Sequence, residues 1–289
     1  MKSALLMNRI LISVIIPTFR DWDRLQLCLD ALSEQTLKLD EFEIIVVNND
    51  PSDQPPSTFK ISTNTSITNE HLKGSYAARN KGIKHAHAEV LAFTDSDCIP
   101  DKKWLESGLQ KLNHEIDMIA GKVEFFFKNK EPNVYEYIDS ATKMNQKHYA
   151  SLGFGATANL FVKRSVIEVV GIFNEQLKSG GDYEYGMRAT SSGFKIKYSE
   201  YAKVKHPARS TWSEIIKKSK RVTQGINDLQ KAGSSTHNVT LRSFRPIVRL
   251  PKNNFYPNPS MILLLKVYFM INIKKYTALY YRICHGQKR

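Results

Sequence analysis

The stretch Ile10-Leu11-Ile12-Ser13-Val14-Ile15-Ile16-Pro17 is the segment that decides the fold. A continuous run of β-branched residues is typical of a strand covered on both faces, as in a parallel sheet. Residues 42–47 and 89–94 form two further apolar runs, and segments with helical periodicity separate the three. This alternation predicts an α/β fold built on a doubly wound, mostly parallel sheet.

The rest of the chain continues the alternation and then changes character. Residues 50–69 are rich in Pro, Ser and Thr and are predicted to form a loop. Asp21 or Asp23 is predicted to cap the first helix. The remaining predicted elements are strands at 118–123, 157–162 and 194–198, helices at 182–191 and 213–229, an irregular segment at 231–260 and an apolar segment at 261–273.

Three polar segments follow the predicted strands, at residues 18–20, 48–50 and 95–97. In doubly wound sheets, ligands bind beyond the carboxyl ends of the strands. We therefore expect these three segments to lie at one ligand-binding edge.

Asp95 and Asp97 are separated by one residue and come directly after a buried strand. Both carboxylates can therefore reach a common point, and hard divalent cations such as Mn²⁺ or Mg²⁺ prefer such oxygen ligands. The alternative is a solvated turn without a metal, because Asp-Ser-Asp is common in loops.

The segment Gly180-Gly181-Asp182-Tyr183-Glu184 is a second candidate site. Glycines allow the backbone to approach a ligand closely, and they leave Asp182 at the start of a helix. The carboxylate is either a general base for an acceptor hydroxyl or simply a helix cap.

Three basic side chains have candidate roles in binding an anion. Arg79 lies near the predicted ligand edge, and Arg221 lies on the late basic helix, where it could compensate the charge of a diphosphate leaving group. His206 is either a structural histidine or a third metal ligand.

The net charge of +14 is concentrated in the last third of the chain. Residues 195–289 carry 20 basic and 3 acidic side chains, whereas residues 1–194 carry a small negative net charge. Such a block implies a polyanionic partner. The apolar segment 261–273 is too short to span a bilayer. It either lies in an anionic membrane surface, with Lys266, Lys274 and Lys275 on the headgroups, or packs on the catalytic domain.

Three scattered cysteines favour a reducing compartment, so we expect a cytoplasmic protein, peripheral on the cytoplasmic face of the membrane if segment 261–273 binds lipid. No Gly-x-Gly-x-x-Gly, Walker A or Gly-x-Ser-x-Gly motif is present. Dinucleotide-dependent enzymes, P-loop enzymes and serine hydrolases are therefore disfavoured.

Five segments in order resemble glycosyltransferase family 2, the inverting transferases of the GT-A (nucleotide-diphospho-sugar transferase) fold. They are residues 13–18, the strand before Asn48-Asn49, Ala78-Arg79-Asn80-Lys81-Gly82, Asp95-Ser96-Asp97, and residues 180–184. The resemblance covers about residues 10–225. It implies a hexosyl transfer from a nucleotide-diphospho-sugar to a saccharide or lipid-linked saccharide, in polysaccharide or glycolipid biosynthesis.

The resemblance also implies a role for each matching residue. Asp97 would ligate Mn²⁺ or Mg²⁺, Asp95 would approach the ribose or the metal, and His206 and Arg221 would complete the diphosphate site. Asp182 would be the catalytic base, with Glu184 as the second candidate. The nucleotide-sugar would be bound by Pro17, Thr18, Arg20, Asn48, Asn49, Arg79, Asp95 and Arg221.

This chain departs from the family pattern at two places. Asn48-Asn49 stands where the family usually has aspartate, which affects the choice of nucleotide, and Gly181 stands where it commonly has glutamate. The resemblance divides the chain into a catalytic domain at 1–230, with a nucleotide-sugar half (about 1–123) and an acceptor half (about 124–230), and a basic extension at 231–289.

Two other functions fit single features of the sequence. A nucleic-acid-binding protein or metal-dependent nuclease would explain the basic tail and paired aspartates, but aromatic residues are not interleaved with the basic ones as in RNA-binding modules. We therefore expect no nucleic-acid partner. An inactive membrane scaffold would not require Asp95, Asp97 and Asp182.

Overall fold

The computed structural model describes residues 10–128, 130–142, 144–231, 233, 240–248 and 260–286. The strands are β1 (Ile12–Thr18), β2 (Phe42–Asn48), β3 (Thr65–Asn69), β4 (Val90–Thr94), β5 (Ile99–Pro100), β6 (Met118–Phe126), β7 (Asn159–Lys163) and β8 (Ile196–Pro207). The helices are α1 (Trp22–Ser33), α2 (Ser75–His85), α3 (Trp104–Lys111), α4 (Val134–Thr142), α5 (Gln146–Ser151), α6 (Arg164–Val170), α7 (Gly181–Ser191), α8 (Trp212–Lys231) and α9 (Met261–Gly286), with a 3₁₀ turn at Leu241–Phe244.

The eight strands form one sheet in the order β3-β2-β1-β4-β7-β6-β8-β5. β1 pairs in parallel with β2 and β4, and β2 pairs in parallel with β3. β7 is antiparallel to both β4 and β6, and β5 is antiparallel to β8. The predicted α/β fold is confirmed, and its sheet is mixed. The predicted helical C-terminal region is also present.

The chain separates into two compact units. The first contains residues up to Glu124 together with Gln146–Glu175 and Tyr185–His206. The second contains Phe125–Asn145, Gln176–Glu184 and the residues from Pro207 onward. The division at residue 230 expected from the resemblance stays a prediction.

The prediction that residues 50–69 form only a loop is wrong, because β3 lies within that segment. Its Thr-Ser-Ile-Thr-Asn sequence is polar, yet Thr and Ile favour the extended backbone of a strand. β3 pairs only with β2 at one end of the sheet, and such an edge strand needs little apolar surface.

The centre of the first unit is built on β1, which is buried almost along its whole length. α2 packs closely on this strand at Gly82, where an added Cβ would lie 2.5 Å from Ile15 Cγ2. α1 buries Leu25, Leu29 and Leu32, which lie on one face of the helix at spacings of four and three residues.

The predicted capping of α1 by an aspartate side chain is wrong. Asp21 occupies the N-cap position but makes no side-chain cap hydrogen bond, and Asp23 lies inside the first turn. The Asp21 carboxylate instead accepts a hydrogen bond of 2.8 Å from Arg24 Nε. Its other oxygen lies 3.5 Å from Ser96 Oγ, beyond the end of β4.

A buried asparagine fixes the strands beside the end of β4. Asn159 lies opposite Thr94 in the β4–β7 pair. Its Oδ1 accepts from Trp104 Nε1 at 2.8 Å, and its Nδ2 donates to the carbonyls of Lys122 (2.8 Å) and Ala202 (2.9 Å). One fully buried side chain thus joins β6, β7, β8 and α3, because buried polar groups must find partners.

The second unit is a helical assembly of α4, α8 and α9. Tyr137 and Ile138 of α4 form a buried cluster with Val267 and Ile271 of α9. α9 extends well beyond the apolar segment 261–273 that the sequence indicated. Within the described part of the chain, no helix has an apolar stretch of the length needed to cross a membrane. Much of the segment 231–260 predicted to be irregular lies outside the described residues.

Candidate functional site

The carboxyl ends of β1 and β2 meet at one edge of the first unit. Thr18 pairs with Asn48 in the parallel register, and the Asn49 amide donates to the Thr18 carbonyl at 2.9 Å. Thr18 is buried, and its Oγ1 has no hydrogen-bond partner among the described residues. Pro17 precedes it and is half-buried. The structure therefore brings two of the three predicted edge segments together.

The two asparagines after β2 hold the backbone of the following loops. Asn49 Nδ2 donates to the carbonyls of Glu70 and Leu72, and its Oδ1 accepts from the Gly74 amide at 2.7 Å. Asn48 Nδ2 donates to the Asp53 carbonyl at 2.8 Å. Both carboxamides thus shape the edge of the sheet, a role that an aspartate could fill only in part because it has no N–H donor.

An exposed ion pair lies beside these asparagines. Arg20, with a φ of 52°, places its Nε 2.5 Å from Asp50 Oδ2. Hydrogen bonds from Ser52 and Arg20 to the carboxylate lower the pKa of Asp50 from its usual value. Asp50 therefore remains an anion that holds Arg20 at the predicted ligand edge.

Asp95, the first residue after β4, is paired with an arginine. Arg79 Nη2 donates to Asp95 Oδ1 at 2.5 Å, and the Arg79 guanidinium lies over the Tyr76 ring with its Cζ 5.7 Å from the ring centroid. Arg79 is only 4% exposed, and its Nε has no hydrogen-bond partner among the described residues. A buried guanidinium with spare donor capacity can hold an anionic group.

Asp97 lies two residues further, where the chain turns back into the sheet. β5 pairs antiparallel to β8 with Ile99 opposite Lys205, so the next residues outward from this pair are Cys98 and His206. This register brings His206 Nε2 to 3.7 Å from Asp97 Oδ1. A carboxylate oxygen and an imidazole nitrogen that are 109 residues apart in the chain therefore meet at one point.

Cys98 adjoins the same point, and its Sγ lies within 4.8 Å of the Asp97 and His206 ligand atoms. Burial, followed by the charges of Asp97 and Asp95, raises the pKa of this thiol well above its usual range. Metal ligation requires the thiolate, which this environment disfavours. The donors that suit a hard cation here are therefore Asp97 and His206.

The sequence did not reveal that Asp21 and Arg24 also lie at this point. Arg24 Nη1 lies 3.5 Å from Asp97 Oδ2, and Ser96 Oγ lies 3.5 Å from Asp21 Oδ2. The only sequence signal is the spacing of three between Asp21 and Arg24, which places both at the start of one helix. The Arg24 guanidinium therefore offsets part of the negative charge of Asp97.

Asp182 and Glu184 lie in the first turn of α7, within the second unit. Asp182 is the second residue of the helix, and its role as general base or helix cap stays a prediction. Both carboxylates are half-buried. The predicted site residues from Pro17 to Asp97, together with His206, all belong to the first unit.

Two glycines allow the segment before α7 to pack against α8. A Cβ added to Gly225 of α8 would lie 2.2 Å from the Ser179 carbonyl oxygen. Gly180 has a φ of 83°, and its own Cβ would lie 2.9 Å from Leu229 Cδ1. The backbone that leads into Asp182 is therefore supported by α8. Arg221, on the same helix, is exposed.

If Asp182 is the general base that the sequence predicts, Gly225→Ala should lower the reaction rate by about tenfold or more. The added methyl group must displace Ser179, and a displacement of about 1 Å at a reacting group can cost about a hundredfold. Steady-state kinetics would measure the rate, and unfolding curves would show whether the variant remains folded. A graded loss from Ala to Val at position 225 supports positioning, whereas wild-type turnover in a folded Gly225→Ala protein contradicts it.

Two known enzymes are similar to this chain in sequence. Glycosyltransferase AglE of Haloferax volcanii is 37% identical over an alignment of 224 residues, and the match covers 74% of this chain and 72% of AglE. An Escherichia coli enzyme, UDP-Glc:alpha-D-GlcNAc-diphosphoundecaprenol beta-1,3-glucosyltransferase WfgD, is 30% identical over 43% of this chain and 47% of its own length.

Among solved structures, the mannosyltransferase PcManGT of Pyrobaculum calidifontis, in complex with GDP-Man and Mn²⁺, is similar in fold. It has a TM-score of 0.59 and 14% sequence identity, and the match covers 97% of this chain and 76% of PcManGT. At this identity the likeness establishes the fold, which is the GT-A fold expected from the sequence. Residues 13–171, more than half of the chain, match glycosyl transferase family 2. The chain therefore belongs to glycosyltransferase family 2 and is a glycosyltransferase.

Proposed function

We propose that this enzyme transfers a hexosyl group, with inversion, from a nucleotide-diphospho-sugar to an acceptor hydroxyl in polysaccharide or glycolipid biosynthesis. The observation that carries the proposal is the meeting of Asp97 and His206 beside the pair formed by the buried Arg79 and the part-buried Asp95. This arrangement offers two metal ligands and a buried cation at the carboxyl edge of the sheet, where nucleotides bind in doubly wound folds.

The donor set of Asp97 and His206 fits a divalent cation such as Mn²⁺ or Mg²⁺. Carboxylate oxygen and imidazole nitrogen suit Mn²⁺, and Mg²⁺ is usually bound through one or two carboxylates and substrate phosphates. When bound, the ion would neutralise charge that develops on the diphosphate leaving group. Similarity to a mannosyltransferase whose structure contains Mn²⁺ supports this assignment.

The nucleotide-sugar would be bound by the other residues of the ligand edge. The buried Arg79 guanidinium would donate a hydrogen bond to the nucleotide-sugar. It would also keep Asp95 in place for the ribose or the metal. Asn48 and Asn49 would act mainly by holding the loop backbone, because their amides already bond to it. Pro17, Thr18 and Arg20 would complete the wall at the end of β1, and Arg221 would contribute charge for the diphosphate.

Asp182 would accept the proton of the acceptor hydroxyl, and Glu184 is the second candidate for this role. A hydroxyl is a weak nucleophile until its proton is removed, and a half-buried carboxylate in a helix first turn is accessible to an acceptor. The hydroxyl oxygen would then form the new glycosidic bond as the bond from the anomeric carbon to the diphosphate breaks.

The acceptor would be a saccharide or a lipid-linked saccharide. The name of the similar E. coli enzyme, which covers less than half of this chain, describes a saccharide on diphosphoundecaprenol as its acceptor. A location on the cytoplasmic side of a membrane would bring the enzyme to such an acceptor. The free thiols of Cys28, Cys98 and Cys284 are compatible with that reducing side.

A thermal-shift panel of nucleoside diphosphates and their sugars, with and without Mn²⁺, tests the proposed donor class. A ligand at about 100 times its Kd adds about 2.7 kcal/mol, so we expect the matching nucleotide to raise Tm by several degrees only with Mn²⁺. Generic DNA or RNA at low salt is the control. Stabilisation by nucleic acid, with no response to any nucleotide, would favour the nuclease alternative.

A further inference from the structure

α9 has a second apolar face that the rest of the described chain covers only in part. Large exposed side chains recur on one side of this helix, at Met261, Ile262, Leu265, Phe269, Tyr280 and Ile283. At 3.6 residues per turn these positions fall within an arc of about 100°. We call this surface the outer face of α9. In the middle of the helix this face is covered, because Asn272 bonds to Ile247 and Tyr276 Oη donates to the Phe244 carbonyl. Its exposed apolar part is therefore the N-terminal portion at 261–269, with Tyr280 and Ile283 further along.

The opposite face of α9 holds the helix in the second unit. Val267 is fully buried and Ile271 is 4% exposed, both in the cluster with Tyr137 and Ile138 of α4. The helix is thus anchored on one side, so its outer face is a formed surface rather than a product of fraying.

The charge of α9 identifies the kind of partner that this face suits. The helix contains Lys266, Lys274, Lys275 and Arg282 and no acidic residue. On the helical wheel, Lys266 adjoins one border of the outer face, and Lys275 and Arg282 adjoin the other. An apolar stripe bordered by cations matches the boundary between acyl chains and anionic headgroups.

A second copy of the chain suits this face poorly. A two-fold interface would place identical surfaces against each other, and therefore one basic helix against another. Like charges oppose such pairing, whereas an anionic bilayer supplies the complementary charge. Clustered exposed apolar side chains, such as those at 261–269, mark an interaction site.

We propose that the outer face of α9 docks on an anionic bilayer with the helix lying in the plane of the membrane surface. Leu265 and Phe269 enter the acyl boundary, while Tyr280 stays at headgroup level, where aromatic rings with a polar end are favoured. The enzyme would then act at the membrane surface. The anchored face and the docking face explain why the sequence pattern fitted both a packed helix and a membrane-binding helix.

Co-sedimentation of the full chain with lipid vesicles tests this proposal. We expect binding to vesicles of phosphatidylcholine mixed with phosphatidylglycerol, weak binding to phosphatidylcholine alone, and loss of binding between about 0.15 M and about 1 M salt because screening shortens to about 3 Å. The double variant Leu265→Glu/Phe269→Glu should bind the mixed vesicles at least about tenfold less tightly, since it loses the two apolar side chains that enter the bilayer.

The matched control is Leu152→Glu/Val169→Glu. It replaces two exposed apolar residues, one directly after α5 and one in α6, with the same charges. It should bind as the wild type does. No binding of the wild type to anionic vesicles, or equal loss in both double variants, would overturn the proposal. A wild-type dimer in sedimentation equilibrium that the α9 variant abolishes, without vesicle binding, would identify a second copy as the occupant.

A readout of donor hydrolysis separates this proposal from the proposed chemistry. The α9 double variant should hydrolyse the nucleotide-sugar in solution as fast as the wild type does. If neither protein turns over any donor, the proposed function fails while the vesicle result still decides the membrane proposal.

Discussion

Asp97→Asn should lose at least about a hundredfold in sugar transfer while the protein remains folded. The exchange keeps the size of the side chain but removes one of the two ligands that meet near His206 Nε2, and a bound metal contributes several kcal/mol to stabilising a charged leaving group. Calorimetric titration with Mn²⁺ should show the same loss without any substrate. That measurement separates metal binding from every other contribution to the rate.

Asp101→Asn is the matched control for the loss of one carboxylate in this region. Asp101 is exposed, and its Oδ1 accepts from the Lys103 amide at 3.2 Å. We expect normal Mn²⁺ affinity and normal turnover. Wild-type Mn²⁺ binding by a folded Asp97→Asn protein would contradict the assignment, and the paired carboxylates would then be a solvated turn.

Strands β1 and β2 could be predicted because their runs are apolar apart from Ser13 and Glu43. β1 and β2 have no polar side to complicate the pattern, and their ends carry the polar segments that meet in the structure. β3 could not be recognised in the same way. A polar edge strand gains its stability from hydrogen bonds to β2, and those bonds are invisible in a single sequence.

The candidate site also contains some residues that local motifs mark and others that only tertiary packing brings in. Asp95, Asp97 and Arg79 are marked by local motifs, whereas the approach of Arg24 to Asp97 depends on how α1 sits beside β4. Gly225 shows the limit most clearly. No motif marks this position, because the Ser179 carbonyl that lies where its Cβ would be belongs to a distant part of the sequence.

Asp182→Asn should lose at least about a hundredfold in transfer rate with near-normal affinity for the donor. A positioned general base contributes about 10²- to 10⁴-fold, and the amide cannot accept the proton. Loss of one negative charge from the first turn of α7 costs only about 0.3–1 kcal/mol through the helix dipole, so the fold should be retained. Calorimetry for donor affinity and single-turnover kinetics for transfer measure the two quantities separately.

Glu184→Gln is the control that isolates the chemical role of Asp182. It lies in the same helical turn and loses the same charge, so its effect on the helix dipole is closely matched. If only the Asp182 variant is inactive, Asp182 is the base. If Glu184→Gln is inactive and Asp182→Asn is active, the base is Glu184. Equal, small effects on both would mean that the two carboxylates stabilise the start of α7 and that proton removal is performed elsewhere.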